Sequence, residues 1–370
     1  MNNIISNCAP VLFIFLSIFC GCLFGKIKIR KFSFGLSGVL IFSILFGWIL
    51  SSLNIEITKL ELNNLQQYSK YIAGLGTNIF VSSIGLQAGL SDMKIKRKEA
   101  LKCCLLGIII PLISILISKI IFKIDNQIDS SLIAGILCGS MTSTPGLISV
   151  QELSSINDSL ATLGYGSSYI FGVISIIVIV QLITKKEKKI DSKISEKTGP
   201  QNDLIVLLAL TICSGNLLGN IMLFDSISLG VSGGTLLAGI MVGIIYKKIP
   251  QTKGHNNMTL SSFRSLGLVM FFAGEGLPAG FLLKEKFILK PFVYGIIISS
   301  VAILCGLILC KFLRYNANQT ASIISGCLTS TPAFNLLIDM GVDVNITQYS
   351  MTYLSSLITI IFGVKIFGAY

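Results

Sequence analysis

The stretch Gly139-Ser140-Met141-Thr142-Ser143-Thr144-Pro145 returns 187 residues later as Gly326-Cys327-Leu328-Thr329-Ser330-Thr331-Pro332. Each copy lies inside a long apolar run. Proline removes a backbone donor and breaks a helix, and the flanking hydroxyls compete for backbone partners. Two helices are therefore predicted to break at matched points. The match extends outward from this motif. Leu75-Gly76 and Gly85-Leu86-Gln87-Ala88-Gly89 recur at an offset of 191 as Leu266-Gly267 and Gly276-Leu277-Pro278-Ala279-Gly280. Gly21-x-x-x-Gly25 pairs with Gly215-x-x-x-Gly219, and Glu152 falls on Asp339. An offset that drifts so little across half a chain marks an internal duplication.

The 370 residues are 52% apolar and 12% charged, with a mean hydropathy of +0.81. Soluble domains carry roughly 25% charge. The apolar runs have the length of bilayer-crossing helices, and the alternating pattern of an outer-membrane barrel is absent. The chain is read as an all-α polytopic membrane protein whose surrounding solvent is lipid. Twelve segments are predicted, at about 10–26, 35–53, 70–91, 101–122, 131–151, 160–183, 203–223, 228–246, 262–283, 291–313, 320–341 and 347–366. Residues 1–183 form the first repeat, 184–200 a Lys-rich solvated linker, and 201–370 the second repeat.

The net charge of +12 comes from Lys and Arg in loops and at helix ends, which is a topological signal and not a nucleic-acid stripe. If segments five and eleven enter and leave on one side, with the N-terminus outside, 21 basic residues lie inside and 8 outside. Twelve full crossings give a much weaker bias of 17 against 12 in either direction. Five crossings per half is an odd number, so the halves run in opposite directions. The predicted plan is two inverted-topology repeats, each of about five crossing helices plus one re-entrant or broken helix. Both termini fall outside, and linker 184–200 is cytoplasmic. Lys284, Lys286 and Lys290 are the misfit, because this plan leaves them outside.

Residues 1–10 contain no Lys or Arg, so the first apolar run reads as a retained helix and not as a cleaved signal. The ten cysteines lie mostly within apolar runs, where reduced Cys acts as a small hydrophobe. The single histidine, His255, sits in a polar loop, so no metal or haem centre is expected.

Irregular backbone at membrane depth is tolerated where protein or a water-filled cavity surrounds it. A broken helix offers N–H groups suited to a carboxylate and carbonyls suited to a cation. Two such tips from opposite faces would meet near the midplane. The candidate binding residues are Gly139, Thr142, Ser143, Thr144, Pro145, Gly326, Thr329, Ser330, Thr331, Pro332 and Asn335, the last three positions beyond the second proline. Gln87 and Glu275 join them as polar groups inside apolar runs. Glu275 is the carboxylate deepest in a predicted crossing helix, and its repeat counterpart is Ile84. An intramembrane carboxylate reads by default as a proton or cation site, against the plainer reading of a side chain reaching for the nearby surface. For Gly85, Gly89, Gly276 and Gly280, close helix packing is the favoured reading. Glu152 and Asp339 are read as helix-end groups near the surface.

These motifs resemble the aspartate:alanine exchanger family of bacterial permeases. The resemblance rests on the two Gly-to-Pro breaks, each preceded by a Gly-Leu-x-Ala-Gly helix, and it spans nearly the whole chain outside the linker. Sodium–glutamate symporters look like more distant relatives, with two five-helix halves and a pore loop in each. The resemblance implies a secondary carrier in the bacterial inner membrane for a small carboxylate or amino acid, with 142–145 and 329–332 at the site. It departs from the family where many members hold a large soluble domain between the halves, because 184–200 is too short for one.

The expected partners are an anionic or zwitterionic small molecule and the lipid bilayer, without nucleic acid; a homodimer is compatible with the plan. No cofactor is expected, and a coupling cation, sodium or a proton, stays open. The rival readings are a cation antiporter, a channel and an intramembrane enzyme. Channels of this kind use rotational symmetry or charged rings. Nucleophilic catalysis at Ser143 or Ser330 would need a base that the apolar runs do not supply.

Overall fold

In the computed structural model, the structure describes all residues except 1, 30–31, 34, 53–58, 91–96, 154, 185–200, 225–226, 229, 249–256, 284–289, 340–344 and 366–370. Most of the linker and His255 thus lie outside the described residues.

All twelve expected segments are helical, and the fifth and eleventh are each split in two. The first half gives α1 (Asn2–Gly25), α2 (Ser37–Ser52), α3 (Lys59–Leu90), α4 (Arg97–Ile124), the broken pair α5 (Ser130–Ser140) and α6 (Thr144–Gln151), and α7 (Asp158–Ile183). The second gives α8 (Gln201–Gly219), α9 (Gly230–Lys247), α10 (Asn257–Leu283), α11 (Lys290–Phe312), the broken pair α12 (Ala317–Cys327) and α13 (Thr331–Asp339), and α14 (Ile346–Lys365). The protein is an all-α polytopic membrane protein with duplicated architecture. Two short antiparallel hairpins, Lys28–Ile29 with Phe32–Ser33 and Met222–Phe224 with Ile227–Ser228, follow α1 and α8 at matching points of the halves. Helix α3 begins at Lys59 and not near residue 70, because the stretch up to Gln67, apart from Asn63 and Asn64, is made of good helix formers and carries the helix past its apolar run.

Lipid exposure explains the apolar outer faces. On α4, Leu101, Leu105, Ile108, Leu112, Leu116 and Ile120 are exposed at three- and four-residue spacing. Such a continuous apolar stripe would be costly in water. Helices α4, α7, α9 and α11 are each long and apolar enough to cross a membrane.

The chain forms two compact units, and each takes helices from both halves. The first contains Met1–Leu90, Asn157–Gly166 and Lys197–Ile288. Here the glycine pairs decide the packing. Gly85 and Gly89 of α3 face Gly239 and Gly243 of α9, and Gly276 and Gly280 of α10 face Ser43 and Gly47 of α2. Gly76 and Gly267 bring α3 and α10 together, and a methyl group at Gly76 would sit 2.6 Å from the Gly267 carbonyl oxygen. Packing of small residues, the favoured sequence reading, is what these positions do. A side chain at Gly85 would meet the Leu236 carbonyl oxygen at 2.6 Å. Gly85→Val is therefore expected to cost about 1–3 kcal/mol, the usual range for overpacking. Gly74→Ala, facing open space in the same helix, should leave the protein at least as stable. Thermal unfolding in detergent micelles compares the two.

The second unit contains Ser91–Ile156, Ser167–Glu196 and Leu289–Tyr370. Helix directions within it follow from named contacts. Glu99 meets Gln348 near the first turns of α4 and α14, Gly107 faces Thr352 and Ser355, and Ile115 faces Gly363. So α4 and α14 run parallel. Helix α11 runs antiparallel to α4: Asp125, just past the end of α4, takes bonds from Lys290 Nζ at 2.9 Å and Tyr294 Oη at 2.8 Å at the start of α11. Farther along, Gly306 faces Ile110.

That clasp makes a pH prediction. The Lys290 ammonium and then the Tyr294 hydroxyl hold the Asp125 carboxyl below its usual range. A carboxylate held low contributes stability that is complete above its unfolded pKa, about 3.9, and is lost as pH falls through the lower folded value. The difference in Tm between the wild type and Asp125→Asn should therefore be constant near neutrality and shrink below about pH 4. A difference that stays flat down to pH 3 would refute this.

The broken pairs are placed by the same logic. Helix α5 starts where α4 ends, capped by Asp129, which accepts from the Ser131 N–H at 2.7 Å. Helix α6 then runs alongside the second half of α14: Gly146 faces Ile360, Ser149 Oγ donates to the Ile361 carbonyl at 3.1 Å, and Glu152 reaches Lys365 at 3.5 Å. So α6 returns toward the end from which α5 came, and residues 130–151 form a re-entrant hairpin. Helix α12 starts at the opposite end, with a capping box between Asn316 and Gln319. The chain returns there, since the Asn345 N–H donates to Ser322 Oγ at 3.2 Å and the Phe334 ring stacks on Tyr349 at 3.8 Å. The two hairpins thus point toward each other from opposite ends of this unit, as inverted repeats require.

Candidate functional site

Each hairpin turns through the same local chemistry. Helix α5 closes with the Ser143 N–H on the Cys138 carbonyl at 2.8 Å and the Thr142 N–H on the Gly139 carbonyl at 2.9 Å. Helix α12 repeats this with Ser330 on Ser325 at 2.8 Å and Thr329 on Gly326 at 2.9 Å. This double bond pattern ends a helix through a residue in the left-handed region, normally glycine. Thr142 and Thr329 hold that place, each at φ 51°. The conformation costs a β-branched residue about 1–2 kcal/mol. The next helices start at once. Ser143 Oγ accepts from the Gly146 N–H at 3.3 Å, Ser330 Oγ accepts from the Ala333 N–H at 3.4 Å, and a proline follows in the first turn of each.

The two tips touch. Thr142 Oγ1 donates to the Leu328 carbonyl at 2.6 Å, and Thr329 Oγ1 donates to the Met141 carbonyl at 2.8 Å. Thr142, Ser143, Thr144, Thr329 and Ser330 are all buried. Four helix termini therefore converge: the C-termini of α5 and α12, with negative partial charge, and the N-termini of α6 and α13, with positive. Among the described residues, no metal-binding cluster of His, Cys, Asp and Glu is present.

Of the residues singled out by sequence, the second unit thus gathers Gly139, Thr142, Ser143, Thr144, Pro145, Gly326, Thr329, Ser330 and Pro332 around one junction. Gly326 packs against Tyr349 and Thr352 of α14, where a methyl group would lie 2.6 Å from the Tyr349 carbonyl oxygen. The side chains of Thr331, Asn335 and Asp339 lie outside the described residues. Gln87 and Glu275 belong to the first unit. Gln87 Oε1 accepts from Arg264 Nη1 at 3.0 Å, and Glu275 Oε2 accepts from Thr162 Oγ1 at 3.4 Å.

Sequence reasoning missed two features of the second unit. Lys365, the last described residue of α14, is only 2% exposed and pairs with Glu152 at the close of α6. No local signal marks it, because the pairing joins segments 213 residues apart; only the burial of α6 along α14 brings them together. The second is the aromatic run Phe334, Tyr349 and Tyr353 beside the second hairpin, with the two tyrosines 5.6 Å apart.

Comparison with known proteins agrees with this architecture. The chain is 31% identical over 172 residues to an uncharacterized transporter of Bacteroides fragilis, a match covering 46% of this chain and 29% of that one. It is 30% identical over 161 residues to an uncharacterized transporter of Desulfotalea psychrophila, covering 41% and 30%. An uncharacterized transporter of Corynebacterium glutamicum matches at 30% over 185 residues, covering 46% and 34%. The matched segments thus span about a third of the length of these relatives. The chain matches the family Asp-Al_Ex, Predicted Permease Membrane Region, over residues 13–185 and again over 207–369, and it belongs to that family of membrane transporters.

Proposed function

We propose that the protein is a secondary active carrier of the bacterial inner membrane that moves a small carboxylate or amino acid by alternating access, with its cargo site at the paired hairpin tips. The observation that supports this reading is the meeting of two symmetry-related helix breaks, which sets four helix termini and a group of hydroxyls around one point. Termini of both signs suit a zwitterion: the N-terminal ends of α6 and α13 favour the carboxylate, and the C-terminal ends of α5 and α12 favour the ammonium. A sodium ion or proton taken up with the cargo would serve an acidic one. The basic-residue bias favours an orientation with the opening of the first hairpin outside and that of the second inside.

The test is counterflow in proteoliposomes loaded with unlabelled L-aspartate, L-alanine or L-glutamate, with external L-[14C]aspartate or L-[14C]alanine, with and without a sodium or pH gradient. Saturable counterflow supports the carrier. Sodium flux driven by pH, unaffected by every amino acid, would replace it with a cation antiporter, and unsaturable flux with a channel.

A further inference from the structure

Nothing in the closing turn of α5 or α12 requires a hydroxyl. Glycine would make both turns without the left-handed strain of a β-branched residue. The Thr142 and Thr329 hydroxyls instead act across the junction, each on the carbonyl that caps the opposite helix: Leu328 for Thr142 and Met141 for Thr329. The last carbonyls of a helix have no donor within it, and at a buried terminus each must find one elsewhere. Leu328 and Met141 are fully buried. Each hairpin thus supplies the missing cap of the other.

We infer that Thr142 and Thr329 are positioning residues that cross-cap the opposite hairpin and hold the two tips as one element, leaving cargo contacts to the residues that follow, 143–145 and 330–332. The transport consequence rests on the carrier reading above; the joining of the tips does not.

Two readouts separate this role from a purely local one. The first is hydrogen–deuterium exchange of the full chain in nanodiscs. Thr142→Val should speed exchange about five- to tenfold in the opposite hairpin, over 324–333, because a buried carbonyl loses the donor that reaches it across the junction. Thr329→Val should do the same over 137–146, and Thr→Ser at either site should restore the wild-type rate. Thr142→Gly relaxes its own turn yet lacks the hydroxyl, so it should still loosen 324–333; this variant carries the test if the valine variants fold poorly. Faster exchange confined to the substituted hairpin, or no restoration by serine, overturns the inference.

The second readout is counterflow of L-[14C]aspartate. The valine variants should lose turnover with KM within about twofold of the wild type, since uniform binding is untouched when the cargo contacts remain. A raised KM with unchanged turnover would make these threonines cargo ligands. A wild type without saturable counterflow would end the carrier reading and leave the exchange result standing.

Discussion

Counterflow by the double variant Thr144→Val/Thr331→Val is expected to fall about a hundredfold relative to wild type. Thr144 opens α6 and Thr331 opens α13, at the two positively polarised helix ends of the junction. Valine keeps the shape and β-branching of threonine, so the helix starts should survive, with Ser143 and Ser330 still capping them. What disappears is one hydroxyl at each tip. On the carrier reading, a cargo carboxylate left without a partner at these ends loses about 1–3 kcal/mol per missing bond, and two such losses give the stated factor. Each single variant should fall about tenfold. Unchanged counterflow in the double variant would remove the tips from the cargo site.

The second large effect concerns stability. Lys365 is almost fully enclosed, and its ammonium lies 3.5 Å from Glu152, whose side chain is 16% exposed. Breaking a buried pair from one side costs more than removing it altogether, because a desolvated charge loses its counter-charge. Glu152→Gln is expected to destabilise the protein by about 3–5 kcal/mol. Glu152→Gln/Lys365→Met should recover most of that loss, since the methionine fills the lysine's space without a charge. Denaturant unfolding in micelles measures the pair of variants, and equal losses in both would show that shape and not charge is at stake. Lys365→Met alone should cost less than Glu152→Gln, because the partly exposed carboxylate it strands can reach water.

Much of this architecture can be read directly from the chain, for identifiable reasons. Bilayer thickness fixes helix length, so apolar run length locates helices without any packing information. The duplicated Thr-Ser-Thr-Pro marks both breaks because proline and three hydroxyls in an apolar run leave few alternatives. Charge favours one returning segment in this half but does not say whether it is 131–151 or 160–183, since no Lys or Arg lies between 131 and 183. That answer needs the directions of α4 and α14, fixed by Glu99 with Gln348 and Ile115 with Gly363. The same limit hides the ion pair of Glu152 with Lys365, the bond of Gln87 with Arg264, and the Phe334–Tyr349 stack. Each joins distant segments, and no local pattern encodes the partner. The roles of individual hydroxyls also escape the sequence. Thr142 and Thr144 look equivalent in a motif, while the backbone sets one at a left-handed turn and the other on a helix start.

The glycine contacts of the first unit carry a last implication. Helix α3 docks on α9 and α10 docks on α2, so the third helix of each half seats its small-residue face on the second helix of the other half. A polypeptide with just one half would leave that face with nothing to meet. A second copy of such a half-length chain would supply the missing surface, the third helix of each seated on the second helix of the other. The same interlock means that either half expressed alone should be degraded or aggregate, whereas the two co-expressed as separate chains should reassemble.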